Sequence, residues 1–129
     1  MSIQRQITPQ FEISVKVQYV EAESKPENSY YFFSYRVHIS NKSSFSAQLI
    51  SRHWIITDAD GQVEEVRGAG VVGLQPRMQA GQAFDYESVC PLGTPSGTMK
   101  GSYQMVSDTG ESFDVEIPEF YLIAPSALH

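Results

Sequence analysis

The sequence predicts an all-β protein: an antiparallel β-sandwich of about seven strands, fibronectin type III-like or immunoglobulin-like. Three observations predict it. Apolar residues recur with a period of two, not 3.6, along several runs. Glycine, proline and Asx turn signals separate those runs. No stretch reads as a convincing amphipathic helix. At 129 residues the chain fits a single domain, residues 1–129, with 1–10 as a loose N-terminal lead-in.

The elements follow in order. From Phe11 to Tyr19 the odd positions are apolar, while Glu12, Ser14, Lys16 and Gln18 alternate with them. That is a strand with one buried and one wet face. Glu21 to Ser29, with Pro26 and Asn28, reads as a polar loop. In the second strand Tyr31, Phe33, Tyr35, Val37 and Ile39 share a face against Ser34, Arg36, His38 and Ser40. Asn41-Lys42-Ser43-Ser44 turns the chain.

The third run, Phe45 to Thr57, changes phase. Ala47 and Leu49 lie on the odd face, whereas Ile50, Trp54 and Ile56 lie on the even one. A bulge near Leu49-Ile50, or burial of both faces, explains the change. Asp58-Ala59-Asp60-Gly61 signals a hairpin, and Gln62 to Arg67 returns as a short strand. Gly68 to Gly81 reads as a loop, with four glycines and Pro76. Ala83 to Val89 alternates again. Cys90 to Gly97 reads as a second loop, carrying Pro91, Gly93, Pro95 and Gly97. Met99, Tyr103 and Met105 mark a sixth strand, and Phe113, Val115 and Ile117 a seventh, with Asp108-Thr109-Gly110 between them. Pro118 and Pro125 suit an edge strand or a tail. Trp54 belongs in the core, with Phe33, Tyr35, Val15 and Tyr103 as expected neighbours.

Composition excludes several classes of function. Hydrophobic residues make up 41% and charged ones 19%, which fits a folded core rather than disorder. No apolar run approaches the ~18 residues of a membrane helix, and the first residues lack a signal-peptide core. A net charge of −6 argues against nucleic acid and anionic membranes as partners. Cys90 is the single cysteine, so no internal disulfide forms and a reducing, cytoplasmic location is expected.

Several short patterns carry candidate chemistry. Gly68-Ala69-Gly70-Val71-Val72-Gly73 matches G-x-G-x-x-G, in which glycines let backbone approach a pyrophosphate and a helix N-terminus follows. Here Leu74-Gln75-Pro76 cuts off any helix. Two readings stay open: a loop that needs positive φ, or a phosphate nest of bare backbone N–H groups. Asp58-Ala59-Asp60-Gly61 resembles the middle of a calcium loop, but Ile56 and Arg67 occupy the first and twelfth ligand positions, so a plain turn is expected. His53 faces away from Arg52 and Trp54, and two readings stay open: a proton shuttle or metal ligand paired with an acid on a neighbouring strand, or, more simply, a histidine hydrogen-bonded in the sheet. His38 faces solvent, and His129 is the last residue. Cys90 reads as a small buried hydrophobe rather than a nucleophile. The sequence thus indicates no catalytic residues, no metal-ligand set and no cofactor.

Ser51-Arg52-His53-Trp54-Ile55-Ile56-Thr57-Asp58-Ala59-Asp60-Gly61 and Val66 to Pro76 resemble the central signature of the bacterial ApaG (CorD) family. Cys90 to Met99 with Gly101-Ser102-Tyr103-Gln104-Met105 resembles its second block, and Phe113 to Pro118 through Leu128-His129 its C-terminus. The resemblance runs from about Phe11 to His129. It implies a fibronectin type III-like fold and an association with cobalt and magnesium tolerance. It also implies a glycine signature proposed to bind pyrophosphate, here Gly68, Gly70 and Gly73. Similar domains in larger eukaryotic proteins, an F-box protein and a DNA-polymerase-δ-interacting protein among them, are taken as interaction modules.

Two hypotheses follow. The first is a non-enzymatic module that contacts an unidentified protein partner through Gly68–Gly81 and Cys90–Gly97, with Val71, Val72, Leu74, Arg77, Met78 and Leu92 as its surface; the alternative for these residues is that they fold back to close the ends of the sandwich. The second is a weak site for pyrophosphate, a nucleotide or a divalent cation at Gly68–Gly73, aided by Arg67 or Arg77. Monomer and homodimer both remain open.

Overall fold

The structure is a computed structural model and describes residues 10–127. Of the expected lead-in only Gln10 is therefore described: its carbonyl accepts from Lys42 N and its N–H donates to Ser43 Oγ. Residues 128 and 129, with the family-like ending placed there, lie outside the described residues.

Among the described residues eight strands form two antiparallel sheets: β1 (Phe11–Tyr19), β2 (Tyr31–Asn41), β3 (Ala47–Asp58), β4 (Val63–Ala69), β5 (Arg77–Met78), β6 (Ala83–Leu92), β7 (Ser96–Ser107) and β8 (Ser112–Ile123). The smaller sheet runs β1-β2-β6 and the larger β4-β3-β7-β8, with β5 also paired to β3. This is the expected fibronectin type III-like sandwich. The eighth strand is the two-residue β5, too short to show as a period.

Alternation builds the core. Phe33, Val37 and Ile39 of β2 are fully buried against Leu49, Met99, Tyr103 and Leu122 of the larger sheet. Trp54 packs edge-on to Tyr35, Tyr103 and Phe120, at centroid distances of 5.5, 6.4 and 5.9 Å. Tyr35 and Tyr103 were expected neighbours; Phe120 was not. The phase change in β3 is a bulge: Leu49 pairs with Met105 and Ser51 with Gln104, which leaves Ile50 as the extra residue. Beyond it the even positions turn inward, and Trp54 reaches the core.

The loop expected at Cys90–Gly97 contracts to residues 93–95. Cys90, Pro91 and Leu92 belong to β6, and Ser96 and Gly97 to β7. Pro91 is tolerated because β6 is an edge strand. Its partner Phe32 turns its backbone carbonyl toward Val20, so the Pro91 nitrogen faces away from β2 and no ladder bond is lost. Pro118 likewise sits in the edge strand β8, beside a register shift that bulges that strand.

Asn41 turns out to be more than a turn former. It is fully buried, its amide donates to Phe45 O and Met78 O, and its Oδ1 accepts from Ser43 N. It pins the β2–β3 connection to the segment before β6.

Candidate functional site

The segment Gly68–Gly81 is mostly not a loop. Gly68 and Ala69 complete β4, and Arg77–Met78 form β5 against Gln48 and Ala47. β4 and β5 therefore run along the same edge of β3 as one interrupted strand. At the interruption the chain extrudes a tight hairpin. Val71 N donates to Leu74 O and Leu74 N to Val71 O, with Val72 and Gly73 between them. Both central residues have positive φ, 49° and 77°, which defines a type I′ turn. Both stems rest on the bulge residue of β3: the Ile50 carbonyl accepts from Gly70 N and from Gln75 Nε2.

Position 72 is unusual. Type I′ turns favour Asn or Gly there, because a β-branched side chain clashes with the backbone at positive φ. Val72 adopts that conformation while 63% exposed, and Leu74 beside it is 55% exposed. An anchored turn thus presents two apolar side chains to solvent, one of them strained.

The other expected surface residues fall elsewhere. Val71, Met78 and Leu92 are 0%, 2% and 6% exposed and belong to the core, so they are not surface residues. These apolar side chains fold back to close the sandwich, which is what excludes them from an interface. Arg77 is exposed but makes a two-pronged ion pair with Asp108, at 2.7 and 3.1 Å. Nor do the two glycine-rich segments share one surface. The segment 93–95 lies beside the β3–β4 turn, where Ala59 N donates to Thr94 Oγ1. The extruded turn is anchored at Ile50, about 26 Å away along β3 by strand rise.

The three signature glycines serve three different purposes. At Gly68 an added Cβ would lie 2.7 Å from Arg52 Nη1. The Arg52 side chain crosses β4 there and donates to the carbonyls of Ala69 and Gly70, at 3.1 and 3.0 Å. At Gly70 (φ +63°) a Cβ would come within 2.3 Å of the Leu74 carbonyl oxygen. Gly73 has open space and supplies only its left-handed φ. The N–H groups of Gly70, Val71 and Leu74 are bonded inside the chain. The cation at this segment is Arg52, not Arg67 or Arg77. A sequence signal for it existed: Arg52 shares a strand face with Trp54, and the Asp58–Gly61 hairpin sets it opposite Gly68.

The remaining candidates are sheet furniture. His53 Nε2 lies 3.0 Å from Glu65 Oε1 on the outer face of the larger sheet, beside a shallow cleft of about 390 Å³ that Lys100, Glu116 and Glu119 also line. His38 is half exposed and pairs with Asp85 at 2.6 Å. In the Asp58 turn, Oδ1 accepts from Asp60 N and Gln62 N, as in an ordinary Asx-stabilised turn. Burial, then the nearby charge of Glu64, pushes the Cys90 thiol up to about 11, which holds it in the unreactive protonated form. Burial also raises Tyr86 and Tyr103, whose hydroxyls bond each other across the two sheets. Among the described residues no helix is long and apolar enough to cross a membrane.

Three strands packed on five around an aromatic core, with an anchored apolar tip on one edge, define a fibronectin type III-like β-sandwich. The chain belongs to the ApaG domain family, whose model matches residues 21–107. It is 58% identical to the ApaG protein of Bdellovibrio bacteriovorus over 127 residues, 98% of this chain and 100% of that one. It is 54% identical to the ApaG protein of Chromobacterium violaceum, covering 93% of this chain and 95% of that one. A Bordetella pertussis crystal structure bearing the name ApaA superimposes with a TM-score of 0.88 at 50% identity, over 91% of this chain and 95% of that one.

Proposed function

We propose that the chain is a non-enzymatic interaction module that grips a protein partner with the turn Val71–Leu74. The observation that carries this reading is Val72: a β-branched side chain held at φ 49° and 63% exposed. Asn or Gly at that position would relieve the strain, and among the described residues the Val72 side chain is not part of the core or packed against it. Strain of this kind persists where an external contact uses it. The anchoring on Ile50 lowers the ordering cost of binding, because the tip is already shaped. The association with cobalt and magnesium tolerance that the resemblance implies enters this reading through the partner.

The ligand reading, for pyrophosphate, a nucleotide or a divalent cation at Gly68–Gly73, has less to draw on. Three of the loop N–H groups are already bonded, and Arg52 donates to backbone carbonyls there. Any such binding is weak.

A paired variant tests the proposal. Val72→Asn with Leu74→Ser removes the apolar tip without touching the core, and Tyr121→Ser, on a distant exposed site, serves as control. Proteins captured from native lysate by the original chain are expected to be lost with the paired variant and kept with the control, with no fall in melting temperature. Retention of the same proteins by the paired variant would refute the turn as the contact. Pyrophosphate titration followed by NMR separates the ligand reading, which requires local shifts at Val72 and Gly73.

A further inference from the structure

A sandwich built from two open sheets has four edge strands, among the described residues β1, β4, β6 and β8. Edges template unwanted pairing unless something blunts them. Three of these carry such a device. On β4, Arg52 caps the Ala69 and Gly70 carbonyls. On β6, Pro91 offers no N–H, and Asp85 and Glu87 crowd the outer row. On β8, Pro118, a bulge and the acids Asp114 and Glu116 interrupt the edge.

β1 carries none. Its register with β2 runs unbroken from Phe11 to Tyr19, without proline, glycine or bulge. The bonds Val20 N to Phe32 O and Lys42 N to Gln10 O place the even-numbered residues in the hydrogen-bonded pairs. The N–H and C=O groups of Phe11, Ile13, Val15, Val17 and Tyr19 therefore point outward from the sheet. All five side chains of that row are only half buried, whereas β2 beside them is fully buried at Phe33, Val37 and Ile39.

The outer face of β1 selects its own partner. Lys16 sits directly opposite Arg36, a like charge, and among the described residues neither Lys16 nor Glu12 forms an ion pair. We propose that β1 pairs antiparallel with β1 of a second copy of this chain, about a two-fold axis at Ser14, joining the two smaller sheets into one. In that register Glu12 faces Lys16 of the second copy, and Lys16 faces its Glu12, so both free charges are matched twice. Ile13 then lies beside Val15 of the other copy and Phe11 beside Val17, and the outward N–H and C=O groups meet in hydrogen-bonded pairs. An axis at Glu12 or at Lys16 would set like charges face to face, and one at Val15 would leave Lys16 opposite serine. Charge thus singles out one register.

A single strand pair is a small interface, so the association is weak and reversible. Sedimentation from micromolar to millimolar protein at low salt reads it, and NMR shifts locate it. The wild-type chain is expected to self-associate, with concentration-dependent shifts at the Ile13, Val15 and Val17 amides. Lys16→Glu or Glu12→Lys alone should weaken dimerisation roughly tenfold, because two attractive cross-strand pairs become repulsive. The exchanged double variant, Glu12→Lys with Lys16→Glu, should restore it. All four charges are on exposed positions, so each variant folds, as its circular dichroism will show. A monomer at every concentration overturns the proposal. So does association that ignores the single exchanges, fails to recover in the double variant, or shifts only residues outside β1.

Discussion

Arg52 occupies the space that a side chain at position 68 would fill, its Nη1 2.7 Å from where that Cβ would stand. The match of a long cation with a glycine directly across the hairpin gives the first glycine of the signature a structural purpose. Stability should therefore rank the three glycines unequally. Gly70→Ala combines left-handed strain with a backbone clash and should cost about 3 kcal/mol. Gly68→Ala displaces a flexible guanidinium and two hydrogen bonds, at about 1 kcal/mol. Gly73→Ala meets open space and should cost about 1 kcal/mol, for conformation alone. Urea unfolding of the three variants checks the order; three equal costs would contradict it.

Tyr86 and Tyr103 satisfy each other in a buried space between the sheets. Tyr103→Phe leaves the Tyr86 hydroxyl without its partner and should destabilise by about 1–3 kcal/mol. Replacing both with Phe should cost less than the sum of the single changes. A double-mutant cycle in urea measures that coupling, and strict additivity would mean the bond contributes nothing.

Trp54 is 3% exposed and touches aromatic rings from both sheets. Trp54→Ala should cost about 3–5 kcal/mol, the range for a large aromatic that leaves a cavity. An unchanged melting temperature would contradict the packing described here.

Alkali should destabilise the fold before acid chemistry matters to its interior. Burial raises the Cys90 thiol from 9.0 to about 11 and raises Tyr35, Tyr86 and Tyr103 above 10.0. Each group keeps its proton longer folded than unfolded. Above pH 9 the unfolded chain thus holds fewer protons than the native one, and stability falls as pH rises. The contribution is complete below that pH. Melting temperatures between pH 7 and pH 11 should be flat at first and then decline. Cys90→Ala should shift the onset upward toward the tyrosine range.

Val72→Asn should raise stability by about 1 kcal/mol, since asparagine accepts the left-handed conformation that valine resists. Thermal melts check the sign. A variant that melts lower would show that the valine side chain has an internal role.

The alternation of β1 and β2 made the smaller sheet legible from sequence, and the phase change at Leu49-Ile50 made the bulge legible too. Breaker residues misled at Pro91 and Gly97, because an edge strand tolerates proline where its nitrogen faces away from the partner. Val71, Met78 and Leu92 were read as surface because glycines and prolines surround them, yet those same breakers fold the chain back over the core. Phe120 escaped notice because the bulge at Pro118 resets the period that would have placed it inward. The strain at Val72 had no sequence signal short of knowing that the turn is type I′. Arg52 looked like an edge charge until its partner, an absent side chain at position 68, was in view.

Ile50 also limits how the length of this chain can vary. Removing Ile50 would erase the bulge, and plain alternation would keep Leu49, Arg52 and Trp54 on one inward face. Both stems of the extruded turn would lose their shared acceptor in the same event. A single lost codon there would therefore cost the turn its anchor rather than the core its packing, whereas several gained in the polar stretch Glu21–Ser29 would cost neither.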